Sequence, residues 1–231
     1  MKFLIPNILT LTNLVLGIIC IINIINQSND FPLLILFYTC LFLDFMDGFL
    51  ARKLKVISEF GKQLDSLADL VSFAVLPTLA LYFYLENISD NLIIKYIPIL
   101  IIIFSAIRLA KFNIDENNNN FFEGLPTPAN ALFFISLVYY DGAFKEYITP
   151  ELVLILILIF SLLLVSKFKF ISLKFSNFNF IKNLDRYIII LISFPTLYIY
   201  KDSYLFLLIL FYVISAFNYY YWVVKLYHVF K

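Results

Sequence analysis

Four aspartates lie at the ends of two strongly apolar segments, between residues 44 and 69. They are Asp44, Asp47, Asp65 and Asp69. An aspartate near the middle of a membrane costs roughly 2.5–3.5 kcal/mol, and less toward the interface, so four of them need a compensating interaction. Hard divalent cations would supply it, because these ions prefer carboxylate oxygens as ligands. The residue types alone therefore indicate a metal site.

The spacing puts each pair of aspartates on one helix face together with small residues. At about 100° per residue, each group falls within an arc of roughly 100°. The first group is Asp44, Asp47, Gly48 and Ala51, and the second is Gly61, Asp65, Asp69 and Ser72. Two carboxylate pairs that face each other across small residues predict a pocket for hard cations and a bulky ligand.

A diphosphate at the membrane interface would suit such a pocket, because metals held by paired carboxylates supply the positive charge that it needs. Arg52 follows Asp47 by five residues and can reach the same phosphates with its planar set of donors. Asp69 lies at the far end of its pair. Its carboxylate could bind a metal, take a proton from an attacking alcohol, or do both.

The composition is that of a helical membrane protein. The chain is 62% hydrophobic and only 14% charged, which excludes disorder and is unusual for a soluble domain. We expect an all-α polytopic fold that forms a single membrane domain over residues 1–231, with core helices in 1–140 and additional helices in 141–231. The eight predicted spans are 8–25, 31–51, 64–85, 92–110, 125–140, 151–166, 187–200 and 204–224.

The sixth and seventh predicted spans are weak. Each has an apolar run of about 14 residues, which is roughly 21 Å of helix against a hydrocarbon core of about 30 Å. A re-entrant pair of helices is the alternative for these two segments.

The basic residues predict the orientation. With the N-terminus inside, 14 of the 17 Lys and Arg residues fall in cytoplasmic segments, and only Lys95, Lys145 and Lys201 fall elsewhere. We therefore expect an integral protein of the cytoplasmic membrane, with both termini and the aspartates on the cytoplasmic side. The net charge of +1 does not indicate a nucleic-acid partner.

Three classes of function fit the aspartates: an enzyme, a cation transporter, and a structural metal or ion-pair site. Intramembrane carboxylates commonly line ion paths, but transporter sites usually lie near the midplane of the membrane. These four lie near one face instead. An ion path also leaves Gly48, Ala51, Arg52 and Gly61 without an evident role, so the pattern favours an enzyme.

The pattern D-x-x-D-G-x-x-A-R-x(8)-G-x-x-x-D-x-x-x-D runs without a break from Asp44 to Asp69. Eight fixed positions over 26 residues form a specific motif, which resembles the signature of the CDP-alcohol phosphotransferases. The resemblance implies that an alcohol attacks the lipid-linked phosphorus of a CDP-activated lipid and that CMP leaves. It also implies a homodimer and two divalent cations, Mg or Mn with Ca as a third option, that bridge the aspartates and the diphosphate.

The same resemblance implies a role for each motif residue. Asp44, Asp47 and Asp65 would bind metal, and Asp65 and Asp69 would be the catalytic carboxylates. Asp69 would bind the second metal and act as the general base. The CDP pocket would be shaped by Gly48, Ala51, Arg52 and Gly61.

Further stretches resemble the bacterial and archaeal branch of this family in which L-serine is the acceptor and CDP-diacylglycerol the donor. They are IPNILTLTNLVLG at 5–17, SEFGKQLDSLADLVSFAVLP at 58–77, RLAKFN at 108–113 and GLPTPAN at 124–130. The resemblance covers about residues 4–135. Relatives that use glycerol phosphate or inositol phosphate keep the same fold, so another acceptor alcohol is the nearest alternative.

Polar residues outside the motif could complete the site. Asn7, Thr10 and Asn13 recur every three residues on the first span and could bind the cytosine or ribose, although polar packing between helices is an alternative. Arg108 suits a serine carboxylate or a lipid phosphate, and its alternative is to extend to the interface. The other residues assigned to serine contacts are Asn113, Ser72 and Thr127.

Overall fold

The computed structural model describes residues 4–28, 32–114, 121–142, 145–171 and 205–214. The regular elements in these ranges are helices and one short two-stranded ladder. The helices are α1 (Leu4–Asn26), α2 (Leu33–Lys53), α3 (Glu59–Leu70), α4 (Leu76–Ile88), α5 (Ile99–Ile114), α6 (Thr127–Val138), α7 (Pro150–Leu164) and α8 (Leu205–Ile214). The antiparallel strands are β1 (Phe121–Glu123) and β2 (Lys169–Ile171).

Four helical segments in the described part of the chain are long and apolar enough to cross a membrane. They are Leu4–Asn26, Leu33–Lys53, Glu59–Ile88 and Ile94–Ile114. Their length and composition define a polytopic helical membrane protein, and they coincide with the first four predicted spans. The third begins five residues earlier than the sequence predicted, because its first turn is polar but well capped.

Shorter apolar helices lie at the fifth, sixth and eighth predicted positions. Thr127–Val138 and Pro150–Leu164 lie within two residues of the predicted bounds, and Leu205–Ile214 is the part of the eighth position that the structure describes. At 1.5 Å per residue, the 12 residues of α6 extend only about 18 Å. The seventh predicted span, 187–200, lies outside the described residues. The residues that the structure describes thus contain four segments of full length and do not confirm the eight spans predicted.

The start of α3 is fixed by a side-chain cap. The Ser58 hydroxyl accepts a hydrogen bond from the backbone N–H of Gly61 at 3.0 Å, and Glu59 occupies the first turn. The cap satisfies a free backbone donor, and the acidic residue is favourable at the positive end of the helix dipole. Lys55, with φ of 56°, turns the short connection from α2. Together these features bring the two aspartate-bearing helix ends side by side.

A single π-helical turn, Val71–Val75, joins α3 to α4 into one continuous helix. Its signature is the Leu76 N–H, which bonds to the carbonyl of Val71, five residues back. Pro77 has no N–H to bond the carbonyl of Phe73, so a regular α-helical ladder is broken there in any case. Such turns change which face the following residues present, and they are frequent at functional sites. This one begins two residues after Asp69.

The helices pack around two apolar clusters. One lies between α1, α2, α4 and α6, where the rings of Phe37 and Phe73 meet edge to face at 6.3 Å. The other lies between α4 and the helices that follow it, where Phe133 stacks on Phe160 at 4.0 Å. The outer face of α1 exposes an apolar residue every three or four positions, as expected of a lipid-facing surface. These residues are Leu4, Ile8, Leu11, Val15, Ile18, Ile22 and Ile25.

The start of α6 is held beside the end of α7. Gly124 has φ of +80°, and a Cβ built on it would lie 2.2 Å from the carbonyl oxygen of Leu164. The backbone N–H of Gly124 bonds to the carbonyl of Phe168 at 3.0 Å, and that of Leu125 bonds to Leu163 at 3.0 Å. Only glycine fits this left-handed, close approach, which positions Thr127 at the first turn of α6.

Candidate active site

Three of the four aspartates form one compact group. Carboxylate oxygens of Asp44, Asp47 and Asp65 all lie within 4.8 Å of one another, and Asp47 is only 4% exposed. Like charges at this separation repel strongly unless a cation or a proton intervenes. Oxygen ligands from three carboxylates are those that Mg²⁺, Mn²⁺ and Ca²⁺ prefer. The residues present therefore fit a hard divalent cation, and they could hold one.

Helix α1 supports this group from one side. The Thr10 hydroxyl lies 2.5 Å from Oδ2 of Asp47 and 3.1 Å from the carbonyl of Pro6. The shorter contact is to the carboxylate, which the hydroxyl orients by donating to it. The sequence predicted a nucleotide contact for Thr10, but the structure places its hydroxyl on a motif aspartate.

Asp69 lies one helical turn beyond Asp65 and is 8% exposed. Its Oδ1 is buried and has no hydrogen-bond partner among the described residues. Asp44 and Asp65 lie within electrostatic range of its carboxylate, and so does the guanidinium of Arg108. Asp69 is thus within electrostatic range of both the compact carboxylate group and a cation on α5.

The small residues of the motif leave room for neighbouring polar side chains. A Cβ added to Gly48 would lie 3.3 Å from Nη1 of Arg52, so the guanidinium lies over this glycine. A Cβ added to Gly61 would lie 3.2 Å from Oδ1 of Asn7. The side chain of Asn7 therefore reaches the start of α3. Ala51 is half-buried, one turn after Asp47.

Asn13 is fully buried at the centre of the α1 packing. Neither atom of its side-chain amide has a hydrogen-bond partner within the described part of the chain. Its backbone carbonyl accepts from the Ser72 hydroxyl at 3.3 Å. A Cβ on Gly17 would lie 2.3 Å from that hydroxyl, so Ser72 is packed tightly against α1. Ser72 is therefore directed at α1 and not at Arg108.

Arg108 connects α5 to α6. Its Nη1 donates to the Thr127 hydroxyl at 2.6 Å, and its side chain is half-buried. Its charge lies within electrostatic range of Asp69, Tyr212 and Asp44. The side chain points into the helix bundle. It therefore does not extend to the membrane interface, which was the alternative that the sequence left open.

Asn113 has a different environment from Arg108. Its amide donates to the Ser66 hydroxyl at 2.9 Å and to Oε1 of Gln63 at 3.1 Å. Its carbonyl accepts from Nζ of Lys62 at 2.7 Å, which caps the end of α5. Asn113 thus joins α5 to α3. Of the four residues assigned to serine contacts, the structure brings together only Arg108 and Thr127.

Three further residues near this site were not assigned a role from the sequence. Ser105 precedes Arg108 by one turn and Asn130 follows Thr127 by one turn, and both are fully buried. The same three-residue spacing that selected Asn7, Thr10 and Asn13 would have selected them. Tyr212, on α8, lies within electrostatic range of Arg108. No motif marks it, because it lies beyond the stretch that resembles the family.

Comparison with known proteins identifies the class to which this fold and site belong. Residues 3–173 match the family described as CDP-alcohol phosphatidyltransferase. The chain belongs to this family, which confirms the resemblance seen in the motif.

Individual relatives narrow the comparison. The chain is 36% identical over 196 residues to a CDP-diacylglycerol–serine O-phosphatidyltransferase of Helicobacter pylori, covering 82% of this chain and 79% of the relative. It is 34% identical over 176 residues to the protein of that name from Bacillus subtilis, covering 74% and 91% respectively. It is 35% identical over 166 residues to the one from Methanocaldococcus jannaschii, covering 72% and 73%.

Proposed function

We propose that this protein is a transferase of phospholipid biosynthesis that moves the phosphatidyl group of CDP-diacylglycerol to the hydroxyl of L-serine, with release of CMP. The observation that carries the proposal is the group of Asp44, Asp47 and Asp65 oxygens within 4.8 Å of one another. Asp69 lies next to it, in a chain that belongs to the CDP-alcohol phosphatidyltransferase family. Relatives that cover most of this chain act on serine according to their names.

Two divalent cations, Mg or Mn, would occupy the site. Asp44, Asp47 and Asp65 would hold one of them, and Asp69 would take part in holding the second. When bound, such ions neutralise a diphosphate and polarise its phosphorus–oxygen bonds. The Thr10 hydroxyl would keep Asp47 in the orientation that binding requires, as outer-shell partners of metal ligands commonly do.

The CDP group would lie over the small residues of the motif. The Arg52 guanidinium, which already lies over Gly48, would donate to the diphosphate with its planar pair of N–H groups. Ala51 and Gly61 would leave space for the ribose and base. Asn7 and Asn13 on α1 would bind the nucleotide, and the buried side-chain amide of Asn13 has donors and an acceptor to offer.

The reaction would be a single substitution at phosphorus. The serine hydroxyl oxygen would form a bond to the lipid-linked phosphorus while the bond from this phosphorus to the CMP oxygen breaks. Asp69 would accept the hydroxyl proton as the new bond forms, because a neutral alcohol is a poor nucleophile. Most of the acceleration would come from positioning and from charge stabilisation, as in other phosphoryl transfers.

The number of spans, their orientation and the oligomeric state are part of the same proposal. We infer eight spans in a single membrane domain, with the core in residues 1–140, both termini in the cytoplasm, and a homodimeric assembly. The distribution of basic residues supports this orientation. It would place the aspartates at the face of the membrane where CDP-diacylglycerol and serine arrive.

An acceptor panel tests the proposal. Purified protein with CDP-diacylglycerol and Mn²⁺ or Mg²⁺ should release CMP with L-serine. It should release little with glycerol phosphate, inositol phosphate or inositol. Strong CMP release with another alcohol and none with serine would assign the chain to another branch of the family. Metal flux into proteoliposomes without CMP release from any acceptor would instead favour a cation transporter.

A further inference from the structure

Buried polar atoms without partners lie on α5 and α6, within one turn of the hydrogen bond between Arg108 and Thr127. They are Oγ of Ser105, Nε of Arg108, and both Oδ1 and Nδ2 of Asn130, none of which has a hydrogen-bond partner in the described ranges. Ser105 and Asn130 are both 0% exposed. Because native proteins rarely leave buried polar groups unsatisfied, such atoms indicate a ligand or an ordered water.

Helical spacing relates these residues to one contact. Arg108 donates to Thr127 at 2.6 Å, which joins α5 to α6. Helix α5 runs toward the connection between the two helices and α6 runs away from it. The position three residues before Arg108 and the position three residues after Thr127 therefore both lie one turn deeper, on the same faces. These positions are Ser105 and Asn130.

These residues lie on helices that pack close to the proposed base. Asp69 and Arg108 lie within electrostatic range of each other. Both α5 and α6 pack against the π turn Val71–Val75, which begins two residues after Asp69. An acceptor whose hydroxyl meets Asp69 would thus extend its remaining groups toward Arg108, Ser105 and Asn130.

We propose that Asn130 and Ser105 are specificity-determining residues that bind the ammonium group of the acceptor, while Arg108 binds its carboxylate. This inference rests on the proposed function. Oδ1 of Asn130 and Oγ of Ser105 are neutral oxygens that accept hydrogen bonds from an ammonium. The guanidinium of Arg108 suits a carboxylate. The class of ligand is therefore a zwitterionic amino alcohol.

This assignment differs from the one that the sequence suggested. Asn113 is hydrogen-bonded to Ser66 and Gln63, and Ser72 is hydrogen-bonded to the backbone of Asn13. The polar atoms of Ser105 and Asn130 have no such contacts in the described part of the chain. A ligand bound by Arg108, Ser105 and Asn130 would thus explain buried atoms that the expected contacts leave unexplained.

The test compares Asn130→Ala and Ser105→Ala with the unaltered protein, by steady-state CMP release in detergent. We expect the KM for L-serine to rise about tenfold to a hundredfold in Asn130→Ala, and less in Ser105→Ala, through loss of a hydrogen bond to a charged group. The kcat and the KM for CDP-diacylglycerol should change less than about threefold, since neither residue meets the reacting atoms or the nucleotide.

An acceptor analogue without an amine measures how much the ammonium group contributes to binding. 3-Hydroxypropionate keeps the hydroxyl and carboxylate of serine but lacks the amine. The unaltered protein should discriminate strongly against it as a substrate or competitor, and Asn130→Ala should lose most of this discrimination. Asn130→Asp keeps an oxygen acceptor and should retain a low KM for serine. If Asn130→Ala does not insert or fold, the same comparison of serine with 3-hydroxypropionate is made with Asn130→Ser and Ser105→Ala.

The control is Ser136→Ala, on the same helix as Asn130. Its buried hydroxyl is bonded to the carbonyls of Leu132 at 2.6 Å and Phe133 at 3.0 Å, so the serine KM should not change. An unchanged serine KM in Asn130→Ala, or equal losses for serine and 3-hydroxypropionate, would show that these buried atoms bind only an ordered water and would overturn this inference. No CMP release with serine by the unaltered protein would instead refute the proposed function.

Discussion

The Thr10 hydroxyl donates to Oδ2 of Asp47 at 2.5 Å, although the two residues are 37 positions apart in the chain. This hydrogen bond connects α1 to the carboxylate group that α2 and α3 form. Three helices, and not only the two that carry the motif, thus determine the orientation of the aspartates.

Replacing Thr10 with valine keeps the shape of the side chain but removes the hydroxyl. Because outer-shell partners of metal ligands typically contribute about tenfold to a hundredfold to metal affinity or activity, we expect a loss of that order. The measurement is CMP release across a Mn²⁺ titration. Thr10→Ser should retain activity. The control is Thr12→Val, an exposed position whose hydroxyl bonds only to the Ile8 carbonyl at 2.8 Å among the described residues. Equal metal dependence in Thr10→Val and Thr12→Val would contradict the role of Thr10.

Replacing Asp69 with asparagine should lower kcat by about a hundredfold to ten-thousandfold, the usual contribution of a positioned general base. Binding of CDP-diacylglycerol should persist, because Asp44, Asp47 and Asp65 form their compact group without Asp69. Single-turnover CMP release and a separate CDP-lipid binding assay measure the two effects. Asp90→Asn, at an exposed position, is the control. Near-normal turnover in Asp69→Asn would rule out the base.

Arg52 and Lys53 are adjacent basic residues with different surroundings. The Arg52 guanidinium lies over Gly48, whereas Nζ of Lys53 lies 5.7 Å from the centre of the Phe49 ring. We expect Arg52→Ala to raise the KM for CDP-diacylglycerol about tenfold or more, through the loss of a charge-assisted contact. Lys53→Ala, as the matched control, should change it little. Similar effects of the two substitutions would point to general surface charge instead of a phosphate contact.

Gly17 permits the close approach of α1 to the π turn. An added Cβ would lie 2.3 Å from Oγ of Ser72 and 3.2 Å from its Cα. Gly17→Ala should therefore separate the two segments and destabilise the protein by about 1–3 kcal/mol, as overpacking commonly does. Thermal unfolding in detergent measures this change. Val15→Ala, at an exposed position on the same helix, should leave the transition nearly unchanged. An unaltered transition in Gly17→Ala would mean that the contact is readily relieved.

Cysteine labelling can test the proposed orientation. The two natural cysteines, Cys20 and Cys40, are buried, so they should contribute little background. In intact cells, a membrane-impermeant maleimide should label Asp90→Cys but not Lys55→Cys. Lys55→Cys should react once the membrane is permeabilised. The reverse pattern would place the aspartates on the outer face and would contradict the proposed topology.

The motif alone was sufficient to predict the family and the helices that carry it. Eight residues at fixed spacing identify the family, and the apolar runs around Asp44 and Asp69 predict long helices because a membrane leaves few other options for the backbone. The first four predicted spans correspond to long apolar helices in the structure. Hydropathy also located α6 and α7, whose bounds lie within two residues of the predicted spans 125–140 and 151–166. A short apolar run does not show, however, whether such a helix crosses the whole membrane.

The neighbours of each polar side chain could not be predicted from spacing. Ser72 shares an arc with Asp69 on a regular helix, but in the structure it donates to the carbonyl of Asn13. In the sequence Asn113 lies close to Arg108 and could bind the same ligand. In the structure its side-chain amide is hydrogen-bonded to Ser66 on α3 instead. Such partners lie 47 to 59 residues apart, and their meeting depends on how whole helices pack.

The sequence by itself determined which residues could bind metal and a diphosphate, because that chemistry depends on residue type and on spacing within single helices. Only the tertiary structure showed that Asp44, Asp47 and Asp65 come within 4.8 Å of one another and that Thr10 bonds to Asp47. Only the tertiary structure showed that Asn130 and Ser105 are fully buried and that their side-chain polar atoms have no hydrogen-bond partner among the described residues. The physical reason is that contacts between helices are set by the packing of side chains far apart in sequence, and local periodicity does not encode them.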